Sequence, residues 1–206
     1  MSSLFDLSHP FYAGMPVYPG DIPVSLMQTT TVERDGYAHF TLRTNLHAGT
    51  HLDAPAHFLA DGKLVGDFAL DVFMGRGCLL DVRGERVIGY RPAYDSLVNP
   101  GDIVLLWTNH SAVYGTEAYY ADHPVVSEEL AEFLIRRRVK ILGVDLPSPD
   151  KPPFAVHDRV LGANIPLVEN LTNLWELEML QFEVMAFPVR ISAEGCPVRV
   201  VARVFD

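Results

Sequence analysis

Short runs of alternating or continuous apolar residues dominate the chain and predict strands over 3–7, 23–31 and 38–46. Further strands are expected over 77–82, 102–108, 139–145, 182–191 and 197–206. "VKILGVD" (139–145) is apolar without alternation, as a strand covered on both faces would be. Between the last two runs lies "SAEG", a turn-prone link that suggests a C-terminal hairpin. Helical periodicity is rarer. "SEELAEFLIRRR" (127–138) has Ser127 as a candidate N-cap, Glu128 and Glu129 in its first turn and Arg136 to Arg138 in its last, which suits the helix dipole. Weaker patterns predict helices over 156–162 and 172–178. Strands outnumber helices, so the chain reads as α/β.

Composition narrows the class of protein. With 206 residues, 49% hydrophobic and 20% charged, the chain suits one domain with a sizeable core, and no linker-like tract divides it. A formal net charge of -10 speaks against nucleic acid as a partner, because binding phosphates requires an excess of Lys and Arg. Two cysteines, Cys78 and Cys196, are too few for a disulfide framework or a thiolate metal site. Neither a signal-like N-terminus nor a membrane-length apolar window is present, and a cytoplasmic location away from membranes is the expectation.

The densest chemistry lies in "HAGTHLDAPAH" (47–57), where His47, His51, Asp53 and His57 all occupy odd positions. On an extended chain they would share one face, but a straight strand would hold His47 and His57 about 33 Å apart. The chain must therefore bend, and Gly49 and Pro55 are suitable places. Bending would let two imidazoles and a carboxylate converge, a donor set that Zn²⁺, Mn²⁺ or Fe²⁺ accepts, with Thr50 available to orient a ligand. A metal or acid/base site and a hydrogen-bonded structural cluster both remain open on chemistry alone.

The pattern His-x-Gly-Thr-His-x-Asp-x-Pro-x-His resembles the signature of the metal-dependent cyclase family, which includes bacterial kynurenine formamidases (arylformamidases) and isatin hydrolase-like enzymes. "DLSHPFYAGMPVYPGD" (6–21), "GVDLPSPD" (143–150) and "HDRVLGANIPLVENL" (157–171) resemble further family segments in the same order. The resemblance implies a strand-rich, barrel-like single domain of the swivelling β/β/α type over 1–206, with helices around it. It implies that His47, His51 and Asp53 hold one metal, that Asp53, His157 and Glu169 hold a second in binuclear members, and that His57 is the catalytic acid/base. Zinc is the expected ion, with manganese an alternative.

The implied function is hydrolysis of the C–N bond of a small aryl amide, with a place in tryptophan catabolism for the kynurenine formamidase branch. Opening of a cyclic, isatin-type amide at a single manganese, or metal or ligand binding without catalysis, are the alternatives. A bound divalent cation lowers the pKa of water and polarises a carbonyl, so no serine or cysteine nucleophile is needed. Phe11, Tyr12, Tyr18 and Phe58 are candidate walls for an aryl group. Tyr18 stands where kynurenine formamidases tend to carry tryptophan, and Thr50 where they often carry alanine. His9, His39, His110 and His123 match no ligand position, although His110 could border the pocket; Asp145, Ser148 and Asp150 are expected to shape the site. The family also implies a homodimer or homotetramer in which the N-terminal segment can reach a neighbour's pocket.

Overall fold

The computed structural model describes residues 2–205. Strand β1 (Ser2–Asp6) is followed by β2 (Ser25–Thr30), the helical turn α1 (Val32–Asp35), β3 (His39–Arg43), β4 (His51–Asp53) and β5 (Met74–Asp81). Next come β6 (Val87–Ile88), α2 (Tyr94–Leu97), β7 (Ile103–Trp107), α3 (Glu117–Ala121), β8 (Val125–Val126), α4 (Glu128–Arg137) and β9 (Ile141–Val144). The remainder comprises α5 (Ala155–Gly162), β10 (Leu167–Glu169), β11 (Phe182–Met185), β12 (Gly195–Pro197) and β13 (Val201–Phe205).

Nine strands form one sheet in the order β1-β13-β11-β5-β7-β9-β10-β4-β12. Its centre, β5-β7-β9-β10, is parallel, and the flanking pairs are antiparallel. Every residue of β7 and β9 is buried, as the apolar runs require. Val104, Leu106, Leu142 and Val144 face α4 and α5, where they pack with Leu130, Leu134 and Val160. Ile103, Leu105, Trp107 and Ile141 face the other way, into a core shared with Leu52, Val184 and Ala202.

That second core lies inside a curl. Strand β12 is one edge of the sheet and β13 is next to the other, yet only residues 198–200 join them, so the edges must lie close together. The Leu7 amide donates to the Val200 carbonyl at 2.9 Å and the Val198 amide to the Thr50 carbonyl at 3.0 Å, lacing the gap. The expected barrel-like, strand-rich α/β fold is thus a half-barrel with helices on its outer face. Among the described residues, no helix is long and apolar enough to cross a membrane.

Several local expectations need correction. The run 182–191 stops pairing at Met185, before Pro188, which has no amide to donate. The C-terminal pair is antiparallel, Phe182 opposite Val204, but no "SAEG" hairpin joins it, because Gly195–Pro197 leaves to pair with β4. Within the expected strand 197–206, pairing with β11 begins at Val201, and Asp206 lies outside the described residues. The expected helix over 172–178 is a single 3-10 turn, Leu174–Leu177. Strand 38–46 ends at Arg43 and joins β2 in a separate two-stranded arm. Helix α4 follows its pattern: the Ser127 hydroxyl accepts from the Leu130 amide, and Arg138 closes the helix in the left-handed region at φ 55°.

Leu52 is completely buried on β4, facing the core between the outward-facing His51 and Asp53. Leu52→Ala is expected to lower the unfolding free energy by about 2–5 kcal/mol, measured by urea denaturation.

Candidate metal centre and its cleft

The bend predicted within 47–57 is made at the two expected residues. Gly49 has φ 66°, and a side chain there would meet the Met15 methyl at 2.7 Å, so both backbone and space favour glycine. Pro55 opens a 3-10 turn, Pro55–His57, that ends β4 and swings His57 back over the strand. Between these bends His51 and Asp53, two residues apart, share one face of β4. Antiparallel pairing with β10 sets Glu169 directly opposite His51. Helix α5 contributes His157 from its first turn.

These side chains surround one point. His47 Nδ1 lies 2.8 Å from Asp53 Oδ1, and His51 Nε2 lies 3.4 Å from both Asp53 Oδ1 and Glu169 Oε2. His157 Nε2 is 3.3 Å from Glu169 Oε1. His57 lies at the open side, its ring centroid 4.3 Å from that of His47 and 6.1 Å from that of His157. Donor atoms of His51, Asp53 and Glu169 fall within 4.8 Å of one another, and so do those of His47, Asp53 and His57.

Outer contacts set which nitrogen of each ring faces inward. His51 Nδ1 is 2.9 Å from the Gly49 carbonyl, which also accepts from the Asn170 side-chain Nδ2 at 3.0 Å. His157 Nδ1 is 2.6 Å from Asp150 Oδ1, while Asp150 Oδ2 accepts the Val156 and His157 amides at the start of α5. Both rings therefore present Nε2 to the carboxylates. Thr50 does not orient a ligand ring directly. Its hydroxyl donates to the Asn170 carbonyl at 2.6 Å and accepts the His9 amide at 2.9 Å, tying three segments together. Asp145 is buried behind the site and accepts from the Thr108 amide and hydroxyl; burial raises its pKa.

The electrostatics are those of two buried carboxylates with no Lys or Arg against them among the described residues. Burial alone would push His51 and His157 down, but the carboxylates outweigh it. Asp53 and Glu169 raise His51 to about 9; Asp150 and Glu169 raise His157 to about 10. Asp53 moves the opposite way, because the imidazoles around it overcome its burial. His57 is lowered, chiefly by burial, with His47 and His157 adding to the effect and Asp53 opposing it. His51 Nε2, both Asp53 oxygens and Glu169 Oε1 are buried without an aligned hydrogen-bond partner. Unpaired buried donors of this kind, aimed at a common point, fit a divalent cation.

A cleft of about 300 Å³ opens over these groups. Tyr18 and Phe58 line it as expected candidates, whereas Phe11 lies in a neighbouring depression against Gly49 and Tyr12 lines neither. Ser148 also lines it, and His110 does not, its Nε2 being held 2.9 Å from the Tyr119 carbonyl. His9 stacks on Tyr114 with centroids 3.7 Å apart, and burial lowers its pKa to about 4. His123 Nδ1 is 2.9 Å from the Pro124 carbonyl, and His39 is exposed in the two-stranded arm. The sequence pattern did not single out Tyr114, Tyr120, Phe154, Asp21 or Asn170, which also line the cleft. They come from loops, element ends and the five-residue helix α3, too short to carry a period; the doubled tyrosine at 119–120 is the one local cue.

Comparison with known proteins places this arrangement. The kynurenine formamidase of Bacillus cytotoxicus is 31% identical over 208 residues, covering 98% of each chain, and that of Bacillus cereus is 30% identical with the same coverage. Isatin hydrolase A from Labrenzia aggregata, solved with benzyl benzoate, superposes with a TM-score of 0.88 at 22% identity, covering 100% of this chain and 94% of its own. A structure described as a "predicted metal-dependent hydrolase" from Bacillus stearothermophilus superposes with a TM-score of 0.80 at 21% identity, over 98% of both chains. Residues 5–151 match the Cyclase family model, described as "Putative cyclase". With that match spanning most of the chain, and full-length relatives carrying it to both ends, the protein belongs to the Cyclase family.

Proposed function

We propose that the protein is a metal-dependent hydrolase of the C–N bond in small aryl amides, of arylformamidase type. The observation that carries this reading is the set of unpaired, buried donor atoms on His51, Asp53 and Glu169 at the floor of an aromatic cleft. His47, His51 and Asp53 would hold one cation, and Asp53, His157 and Glu169 a second, with zinc the best match to the donor set and manganese next. When bound, the cation supplies Lewis-acid polarisation of a carbonyl and acidification of water. The burial of Glu169 beside both His51 and His157 supports two ions over the single-manganese, isatin-type alternative.

The chain's own residues supply position and proton transfer. Gly49 and Asp150 hold His51 and His157 with Nε2 inward. Phe58, stacked on His157 at 4.6 Å, and Tyr18 offer faces for an aryl group. His57, kept largely neutral at pH 7 by its lowered pKa, is placed at the open side to accept a proton and return it to the departing nitrogen. Cytoplasmic tryptophan catabolism is the role this reading favours. A homodimer or homotetramer is supported by the arm of β2 and β3, which exposes Met27, Phe40 and Leu42; an isolated two-stranded ribbon has little stability of its own.

The decisive assay is release of formate from formanilides by metal-loaded protein. His57→Ala is expected to lower kcat by about 10²–10⁴-fold while metal content, read by elemental analysis, stays unchanged. Loss of metal from that variant would make His57 a ligand instead, and no turnover of any amide by the parent protein would sink the hydrolase reading.

Cation uptake should also be coupled to protons. His51 and His157 are raised to about 9 and about 10, so both are protonated near neutral pH when no cation is bound, and coordination requires their neutral form. Affinity is therefore expected to rise from pH 6 to 8, with roughly one or two protons released per cation. Calorimetry in two buffers of different ionisation enthalpy measures the release directly.

A further inference from the structure

The floor of the cleft accounts for its chemistry but not for the character of its mouth. Tyr18, Tyr114, Tyr120, Phe58 and Phe154 form the upper walls. Tyr18 meets Tyr120 edge-on with centroids 5.9 Å apart, and Phe58 meets Phe154 in the same way at 5.7 Å. Above the floor, the charged side chain on these walls is Asp21; among the described residues lining the cleft there is no Lys or Arg. Lys151, close in sequence to the lining residues Pro147 and Ser148, is turned away, its Nζ donating to the Ala121 carbonyl at 3.1 Å.

Asp21 acts on the wall itself. Burial pushes the Tyr120 phenol up to about 12, and the negative charge of Asp21 adds to that shift. At the mouth, a carboxylate on the substrate ring would meet this acid and the electron-rich faces of the tyrosines, with no Lys or Arg in the lining to receive it. An ammonium group would be favoured by both, through ion pairing and cation–π attraction.

We propose that the cleft selects aryl amides whose ring bears a neutral or cationic substituent and discriminates against those bearing a carboxylate, with Asp21 the specificity-determining residue. The inference rests on the amide-hydrolase reading and refines its substrate class. A zwitterionic amino-acid amide would be favoured at one end, opposed at the other, and would fall between the two extremes.

The test uses full-length, metal-loaded protein and three formanilides of similar size, with a meta aminomethyl, ethyl or carboxymethyl group. Turnover is read as formate release, and binding of the three corresponding anilines is read by calorimetry. The aminomethyl compound is expected to exceed the carboxymethyl compound by about tenfold or more in kcat/KM, and its aniline to bind tighter in the same order. Asp21→Asn should lower the ratio severalfold, leaving the share that the tyrosine faces supply, and Asp21→Lys should invert it. Equal or better handling of the carboxymethyl compound, or a ratio indifferent to both substitutions, overturns the proposal while turnover upholds the hydrolase reading. Ordered binding of the anilines without turnover does the reverse, and neither binding nor turnover overturns both.

Discussion

Burial of two carboxylates with no Lys or Arg against them among the described residues is the constraint around which the rest of the molecule is arranged. Asp53 and Glu169 are almost completely removed from solvent, and the groups facing them are the rings of His47, His51 and His157. An isolated carboxylate in such surroundings costs several kcal/mol, so positive charge must be supplied locally. Imidazolium can supply it, which is why His51 and His157 are drawn upward, and a divalent cation can supply it with more charge in less space. The same constraint that makes the site costly to fold suits it to receive a divalent cation.

Sheet register meets that constraint more rigidly than a loop could. Glu169 stands opposite His51 because β10 and β4 are paired antiparallel, and a slip of one residue would turn Glu169 into the core and Val168 into the site. The site also lies where β7, β9 and β10 reach their carboxyl ends, the usual location for ligands in open α/β sheets. Thr108 after β7 bonds to Asp145 after β9, and Asp150 in the following turn both caps α5 and aims His157. Helix start and ring orientation are thus fixed by one side chain. Such coupling leaves little freedom for the inner ring to drift.

The inner motif was legible in sequence because its residues are close together and its bends have local causes: Gly49 for positive φ and Pro55 for the end of β4. His157 and Glu169 were legible only through family resemblance. Each is brought in by a long-range event, a helix cap or a strand pairing, that leaves no local period. The central strands 102–108 and 139–145 were readable for the opposite reason, since burial on both faces forces an apolar run. Where reading failed, topology intervened: β11 and β13 do pair, but the segment between them is sent to the far edge of the sheet, and no turn signal records that excursion. The cleft walls were half readable. Tyr18 and Phe58 reach the cleft, while Phe11 packs beneath Gly49 with Met15 and Val24, which an aromatic residue in a Pro/Gly-rich loop gives no warning of.

Inner ring and mouth are consequently built from different materials. The ring comes from strands and a helix start, held by backbone pairing and by carboxylates that tolerate few alternatives. The mouth comes from the segments around Tyr18, Tyr114 and Phe154, outside the sheet, where side chains can change without moving the ring. A fold of this kind can keep one inner ring and change what it admits, because the hydrogen bonds that orient His51 and His157 come from Gly49 and Asp150, not from the side chains around the entrance. The 31% identity to the kynurenine formamidase of Bacillus cytotoxicus, and the TM-score of 0.88 to isatin hydrolase A at only 22% identity, fit a sheet that persists while most side chains change.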